Sequence, residues 1–211
     1  MGQKVNPYAY RLVAGDNWRS NWAVGDKKLY RARLLEDVKI RRFLRDKLSS
    51  AGLTVINIER SFNRMKITLM VTRPGVVIGR GGKNLEALKK ELCKIVSLEQ
   101  PQKNLEIRIE EVKEPNLSAA FVAQKIAEQL ENRMPHRRIM RRELDQVMNA
   151  GAEGIKVRLS GRIGGSKIGR QEKFSAGKVP TSTIRADINY AQRPALTRKG
   201  YVGVKVWIYK K

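Results

Sequence analysis

The residues Ile78-Gly79-Arg80-Gly81-Gly82-Lys83 have types and spacing that suit phosphate chemistry. A G-x-x-G turn that opens a helix brings bare backbone close to a ligand, because no Cβ intervenes and positive φ costs glycine little. The first N–H groups of the helix that follows are unpaired and carry the positive end of its dipole, so they suit phosphate. Arg80 and Lys83 add full charges beside them. The result is a clamp for a nucleic-acid backbone; a glycine-rich tight turn is the plainer alternative. Two other phosphate motifs fail here. A dinucleotide fingerprint starting at Gly79 needs a glycine where Asn84 stands. A P-loop ending at Gly82-Lys83 needs glycine in place of Val77 and a hydroxyl residue in place of Asn84. The chemistry is binding, not nucleotide hydrolysis.

A second constellation lies further on. Arg137, Arg138, Arg141 and Arg142 recur at i, i+1, i+4 and i+5, which fills an arc of roughly 140° on a helix. Ile139, Met140, Leu144 and Val147 take the other side. One face can pack while the other presents guanidinium forks, which suit phosphate pairs better than ammonium groups do. Glu143 and Asp145 neutralise part of that charge. His136, the only histidine, has no partner in the sequence for catalysis and reads as a packing or stacking residue. The segment from Gly161 to Arg170 alternates glycine with charge, and Arg162, Lys167 and Arg170 fit either an RNA-facing loop or a hairpin turn. Lys4, Arg11, Trp22 and Arg185 complete the set of candidate RNA contacts, with packing as the alternative for Trp22.

Composition points to the same partner. The chain has 211 residues, 44 Lys and Arg, 20 Asp and Glu, and a net charge of +24. Such an excess opposes compaction in isolation and attracts polyanions. Nucleic acid is favoured over a membrane surface, since no basic amphipathic anchor adjoins an apolar segment. No apolar run approaches the roughly 18 residues that suggest a span, and residues 1–7 lack the apolar centre of a secretory signal. One cysteine excludes an intrachain disulfide and points to a reducing compartment. Cys93 lies among Leu85, Leu88, Leu92 and Ile95, so it flanks a core. One His and one Cys leave no zinc cluster, and no cofactor or metal is expected.

Periodicity places these residues on elements. Residues 1–29 read as an extended basic arm. A helical pattern runs from Tyr30 to Leu48, and strand patterns run from Val55 to Glu59 and from Met65 to Val71. A helical turn at Val76-Val77-Ile78 precedes the glycines, an amphipathic helix runs from Asn84 to Leu98, and Leu105, Ile107 and Ile109 mark a strand. Residues 30–112 thus form one domain, a three-stranded sheet with helices on one face. Residues 113–116 are a linker. In 117–211, helices at 117–132 and 135–150 precede strands at Ile155–Leu159, Glu172–Val179, Ile184–Tyr190 and Val202–Ile208, a second, mostly antiparallel α/β domain. The fold class is α+β.

Six segments carry a resemblance over essentially the full length. They are Gly2-Gln3-Lys4-Val5-Asn6-Pro7, Arg73-Pro74-Gly75-Val76-Val77-Ile78-Gly79, Gly154-Ile155-Lys156-Val157, Ser160-Gly161-Arg162-Ile163-Gly164-Gly165, Thr183-Ile184-Arg185-Ala186-Asp187-Ile188 and Gly203-Val204-Lys205-Val206-Trp207-Ile208. In this order they resemble the bacterial-type universal S-three family of small-subunit ribosomal proteins. The resemblance implies an N-terminal type II KH domain (α-β-β-α-α-β), a C-terminal α/β domain and a place in the subunit head. It also implies binding to 16S-type rRNA and to messenger at its entrance channel. There, a basic cluster falling on Arg137, Arg138 and Arg141, with Arg142 adjacent, supports unwinding. The implied partners are other head proteins and those completing the entrance ring; the implied location is the ribosome, cytoplasmic or organellar. The role is not enzymatic. The chain departs from the family pattern at Ser166-Lys167-Ile168-Gly169-Arg170, where Lys167 reverses a charge.

Overall fold

A computed structural model describes residues 5–12, 18–61, 64–96 and 101–210; Lys4 lies outside them. The chain divides into two compact units. One spans Trp18–Lys113; the other joins the N-terminal helix α1 (Pro7–Arg11) to Glu114–Lys211.

In the first unit, helix α2 (Lys27–Lys47) starts at Asp26, whose carboxylate caps the amide of Lys28 at 3.0 Å. Strands β2 (Leu53–Arg60) and β3 (Met65–Val71) pair antiparallel, with Ile56 opposite Leu69 and Ile58 opposite Ile67. Helices α3 (Pro74–Ile78), α4 (Lys83–Ile95) and a short α5 (Pro101–Asn104) lead to β4 (Leu105–Glu111), parallel to β3. A two-residue β1 (Ser20–Asn21) adds to the free edge of β2, giving the order β1-β2-β3-β4. From α2 onward the sequence expected three strands; β1 is too short to show a period. Ile40 and Leu44 of α2 and Leu88 and Leu92 of α4 close over Ile58, Ile67, Leu69 and Leu105.

Charge enters this core in one place. Arg60 pairs with Glu36, at 2.7 Å, and with Asp37, and all three side chains are nearly buried. The indole N–H of Trp22 donates to Asp37 Oδ2 at 2.8 Å, and Arg41 donates to the carbonyls of Arg19 and Ile56. The segment before α2 is therefore tied down by side-chain donors and acceptors as well as by β1.

In the second unit, α6 (Ala119–Glu131) and α7 (His136–Asn149) cover one face of an antiparallel sheet. Its strands are β5 (Gly154–Gly161), β6 (Arg170–Gly177), β7 (Ile188–Thr197) and β8 (Gly200–Tyr209), in the order β6-β5-β8-β7. Ile155, Val157, Leu159, Val204, Val206 and Ile208 point into the helix-facing core.

Two expectations are corrected here. Residues 1–29 do not form one extended arm: Asn6 caps α1, Pro7 opens it, and Arg11 is buried. The Arg11 guanidinium donates to Pro7 O at 3.1 Å, Thr181 O at 3.0 Å, Thr183 O at 2.9 Å and Ala186 O at 2.9 Å. Only one of these acceptors, Ala186 O, lies within the expected strand 184–190, and the strand itself starts at Ile188, opposite Tyr209 where β8 ends. Pro194 is accommodated because β7 is an edge strand. Replacing Arg11 by Ala removes all four bonds, one of them to the buried carbonyl of Ala186. Urea denaturation should show a loss of about 3 kcal/mol.

Candidate nucleic-acid interface

Helix α3 ends on the amide of Gly79, which donates to Gly75 O at 2.9 Å. Gly79 (φ +72°), Gly81 (φ +63°) and Gly82 (φ +79°) then carry the chain into α4 in conformations that side chains resist. Gly79 is needed twice over. A Cβ there would sit 2.6 Å from Asn84 Cγ, and Asn84 is fixed by donating to Val76 O at 3.2 Å. Asn84, which in the sequence only excludes nucleotide motifs, thus shapes the loop; that bond has no sequence signature. At Gly81 and Gly82 the space is open, so the requirement is one of backbone angle alone.

Helix α4 begins at Lys83 with no side-chain cap. Its first amides stand beside the exposed side chains of Arg80 and Lys83. Gly75, Val76, Gly79, Arg80, Lys83 and Asn84 line an open depression of about 580 Å³. Val76, 47% exposed, gives it an apolar surface, and Ile78, the residue before Gly79, is 40% exposed. Cationic groups suit phosphates and the apolar surface suits the faces of bases, while the amides of Gly82 and Lys83 are already given to Gly79 O and Arg80 O.

The second unit displays the arginine helix. Arg137, Arg138, Arg141 and Arg142 are exposed, while Ile139, Met140 and Val147 are buried. Glu143 does not neutralise the exposed face as its position in sequence suggests. It is 1% exposed and turned inward, 2.9 Å from Lys125 Nζ and 3.2 Å from Gln129 Nε2, with Arg142 reaching it at 3.5 Å. No salt bridge engages Arg137, Arg138 or Arg141 among the described residues. The first turn of α7 is anchored by His136, whose Nε2 lies 3.0 Å from Glu172 Oε2; Glu172 also accepts from Arg170 Nε at 2.8 Å. His136 thus has a carboxylate partner that its place in the sequence does not reveal, and Glu172 brings Arg170 to the arginine helix.

The other candidates separate. Arg162 holds its own loop, donating to Ser166 O at 2.9 Å and Lys199 O at 3.4 Å. Lys167 and Arg185 are exposed. Arg11 is buried with its guanidinium on carbonyls and is not available to RNA, while Trp22 is half-buried, with its indole N–H on Asp37, the Tyr30 ring 5.3 Å away and the Arg60 guanidinium 5.9 Å from its ring, an arrangement that favours packing. Among the described residues no cluster of His, Cys, Asp and Glu could hold a metal ion, and no helix is long and apolar enough to cross a membrane.

Comparison with known proteins adds the family. The KH domain model matches residues 39–117, and the model of "Ribosomal protein S3, C-terminal domain" matches residues 126–208. The chain is similar to the small ribosomal subunit protein uS3 of Persephonella marina, 47% identical over 210 residues that cover 100% of this chain and 90% of the relative. It is 47% identical to that of Desulforamulus reducens, covering 100% and 92%, and 45% identical to that of Salinibacter ruber, covering 100% and 86%.

The loop geometry makes a contrast testable. Gly79→Ala meets both a positive φ and the Asn84 side chain, so thermal unfolding should report a loss of about 1–3 kcal/mol. Gly75→Ala adds its methyl to open space in a helix and should change stability by no more than about 1 kcal/mol, in the stabilising direction.

Proposed function

The chain belongs to the uS3 family of small ribosomal subunit proteins and is a structural, non-enzymatic component of the ribosome; from that premise we propose that it binds 16S-type rRNA in the subunit head and lines the channel through which messenger enters. The observation that carries the messenger role is the outer face of α7. Three arginines stand there without acidic partners, on a helix whose opposite face is locked into the core and whose carboxylate Glu143 is turned inward.

Unwinding in this reading requires no nucleotide site. Arg137, Arg138 and Arg141 hold phosphates of separated strands, and translocation of the messenger supplies the work. Rigid anchoring of α7 through His136 and Glu172 matters because mobile cations would follow the duplex rather than resist it. The Ile78–Lys83 loop contributes a second mode of contact, in which backbone amides and Arg80 approach single-stranded RNA. Neighbouring head proteins and those around the entrance are the protein partners.

Two outcomes test the proposal. Affinity for small-subunit rRNA should fall steeply with salt, with a log–log slope near 0.7 for each single-strand phosphate contacted; a flat profile contradicts an electrostatic interface. Changing Arg137, Arg138 and Arg141 together to Ala should slow translation through structured messenger, roughly tenfold for each ~1.4 kcal/mol of strand-holding lost, while subunits still assemble. Equal slowing on unstructured messenger contradicts the unwinding role.

A further inference from the structure

The face of the second sheet turned away from α6 and α7 carries charges in an arrangement that neither the loop nor α7 explains. Lys173 of β6, Arg158 of β5 and Lys205 of β8 are directly opposite one another across three strands. They share a face with Lys156, which is two residues from Arg158, because the alternate residues Val157, Phe174 and Val206 point into the helix-packed core. Adjacent strands lie ~4.8 Å apart, so three cations stand in one short row. Like charges directly opposite destabilise a sheet. No carboxylate interrupts this row, which ends on Gln192 of β7.

Residues 154–211 contain 14 Lys and Arg against two acids. Glu172, one of the two, is on the helix side with His136 and Arg170. Asp187, the other, lies before β7, where its carbonyl accepts from the amide of Lys210. Glu153 is at the same end of the sheet, where it raises the pKa of the Tyr209 phenol, with burial adding to the effect.

The chain itself covers that end: Ala186, Ile188, Val179, Tyr190 and Tyr209 pack around Trp207, which is only 6% exposed, and Lys156 Nζ lies 5.9 Å from the Trp207 ring. The other end is left open. Beyond the cationic row come Gln171, Ser160, Gly203 and Pro194, a row with one long side chain. A ladder of like charges beside a low floor suits a polyanionic strand laid across the sheet, and it has no counterpart in an apolar or basic partner.

We propose that the open face of β5, β6 and β8 is a separate RNA contact, in which Arg158, Lys173 and Lys205, with Lys156 beside them, neutralise consecutive phosphates of folded RNA. Sequence is not read there, since the row offers charge without a base-sized pocket. The contact rests on the rRNA-binding reading above, and it adds a surface that neither the glycine loop nor the arginine helix supplies.

The test uses the full chain carrying Arg158→Gln, Lys173→Gln and Lys205→Gln together, titrated with a transcript of the head region of 16S-type rRNA at several salt concentrations. The expected result is a log–log salt slope shallower than the parent's by about two, at ~0.7–0.9 per lost contact. The melting temperature should be equal or higher, because the opposed charges are gone. If the triple variant melts lower, Lys173→Gln alone, on the exposed edge strand, should reduce the slope by about 0.8. A parent slope that is steep and unchanged in the variants overturns this contact and leaves the rRNA reading standing. A flat parent slope overturns both. Variants that bind RNA like the parent yet fail to enter subunits assign the face to a protein partner, which also overturns the proposal.

Discussion

The structure depends on where its few carboxylates go. Asp37 and Glu36 are buried around Arg60, Glu143 is buried against Lys125, and Glu172 is held between His136 and Arg170. Buried ion pairs of this kind contribute little net stability against an apolar replacement, but breaking one strands a charge and costs several kcal/mol. Their larger effect is on the outside. Glu36, Asp37 and Glu143 are drawn inward together with Arg60 and Lys125, so these acids do not screen the exposed cations of a chain whose net charge is +24. Self-repulsion on that scale opposes the compact state until a polyanion relieves it. Fold and partner are thus linked through the same carboxylates.

The element order of the first unit was legible because its apolar residues keep clean periods. Met65, Ile67, Leu69 and Val71 alternate, and Leu85, Leu88, Leu92 and Ile95 recur on one helix face. The KH domain and the S3 C-terminal domain that the resemblance implied are both matched by family models. What could not be read is equally physical. A two-residue strand has no period. Arg11 reaches carbonyls about 170 residues away in sequence, and such a long-range donor leaves no local pattern. The expected strand at 184–190 began too early because Ile184, Ala186 and Ile188 alternate perfectly well by side chain, whereas the partner strand β8 ends at Tyr209, opposite Ile188. The reach of the partner strand decides there, and side-chain alternation does not report it.

The site shows the same division. Glycine spacing revealed the loop, because positive φ at Gly79, Gly81 and Gly82 leaves a compositional trace. The fixing bond from Asn84 to Val76 O leaves none. Helical geometry revealed the arc of arginines, and it also puts position 143 between Ile139 and Val147 on the apolar face, so the inward turn of Glu143 follows from the same wheel and only its nearness in sequence to the arginines suggested otherwise. Trp22 offered two readings in sequence, and the Asp37 carboxylate decides for packing.

The cationic surfaces also differ in kind. The exposed stripe of α7 is arginine throughout, with planar forks on a helix anchored at its first turn. Such groups hold a phosphate in a fixed direction, as resisting the re-pairing of two strands requires. The glycine loop relies on backbone amides, whose direction the fold sets, and so suits a strand whose bases are unpaired. Lysines dominate the open sheet face, and an ammonium on a flexible stem accepts a phosphate from many directions. Rigid arginine where geometry must be imposed, and flexible lysine where folded RNA imposes it, is the distribution that the two proposed roles, holding a moving messenger and binding rRNA, would require.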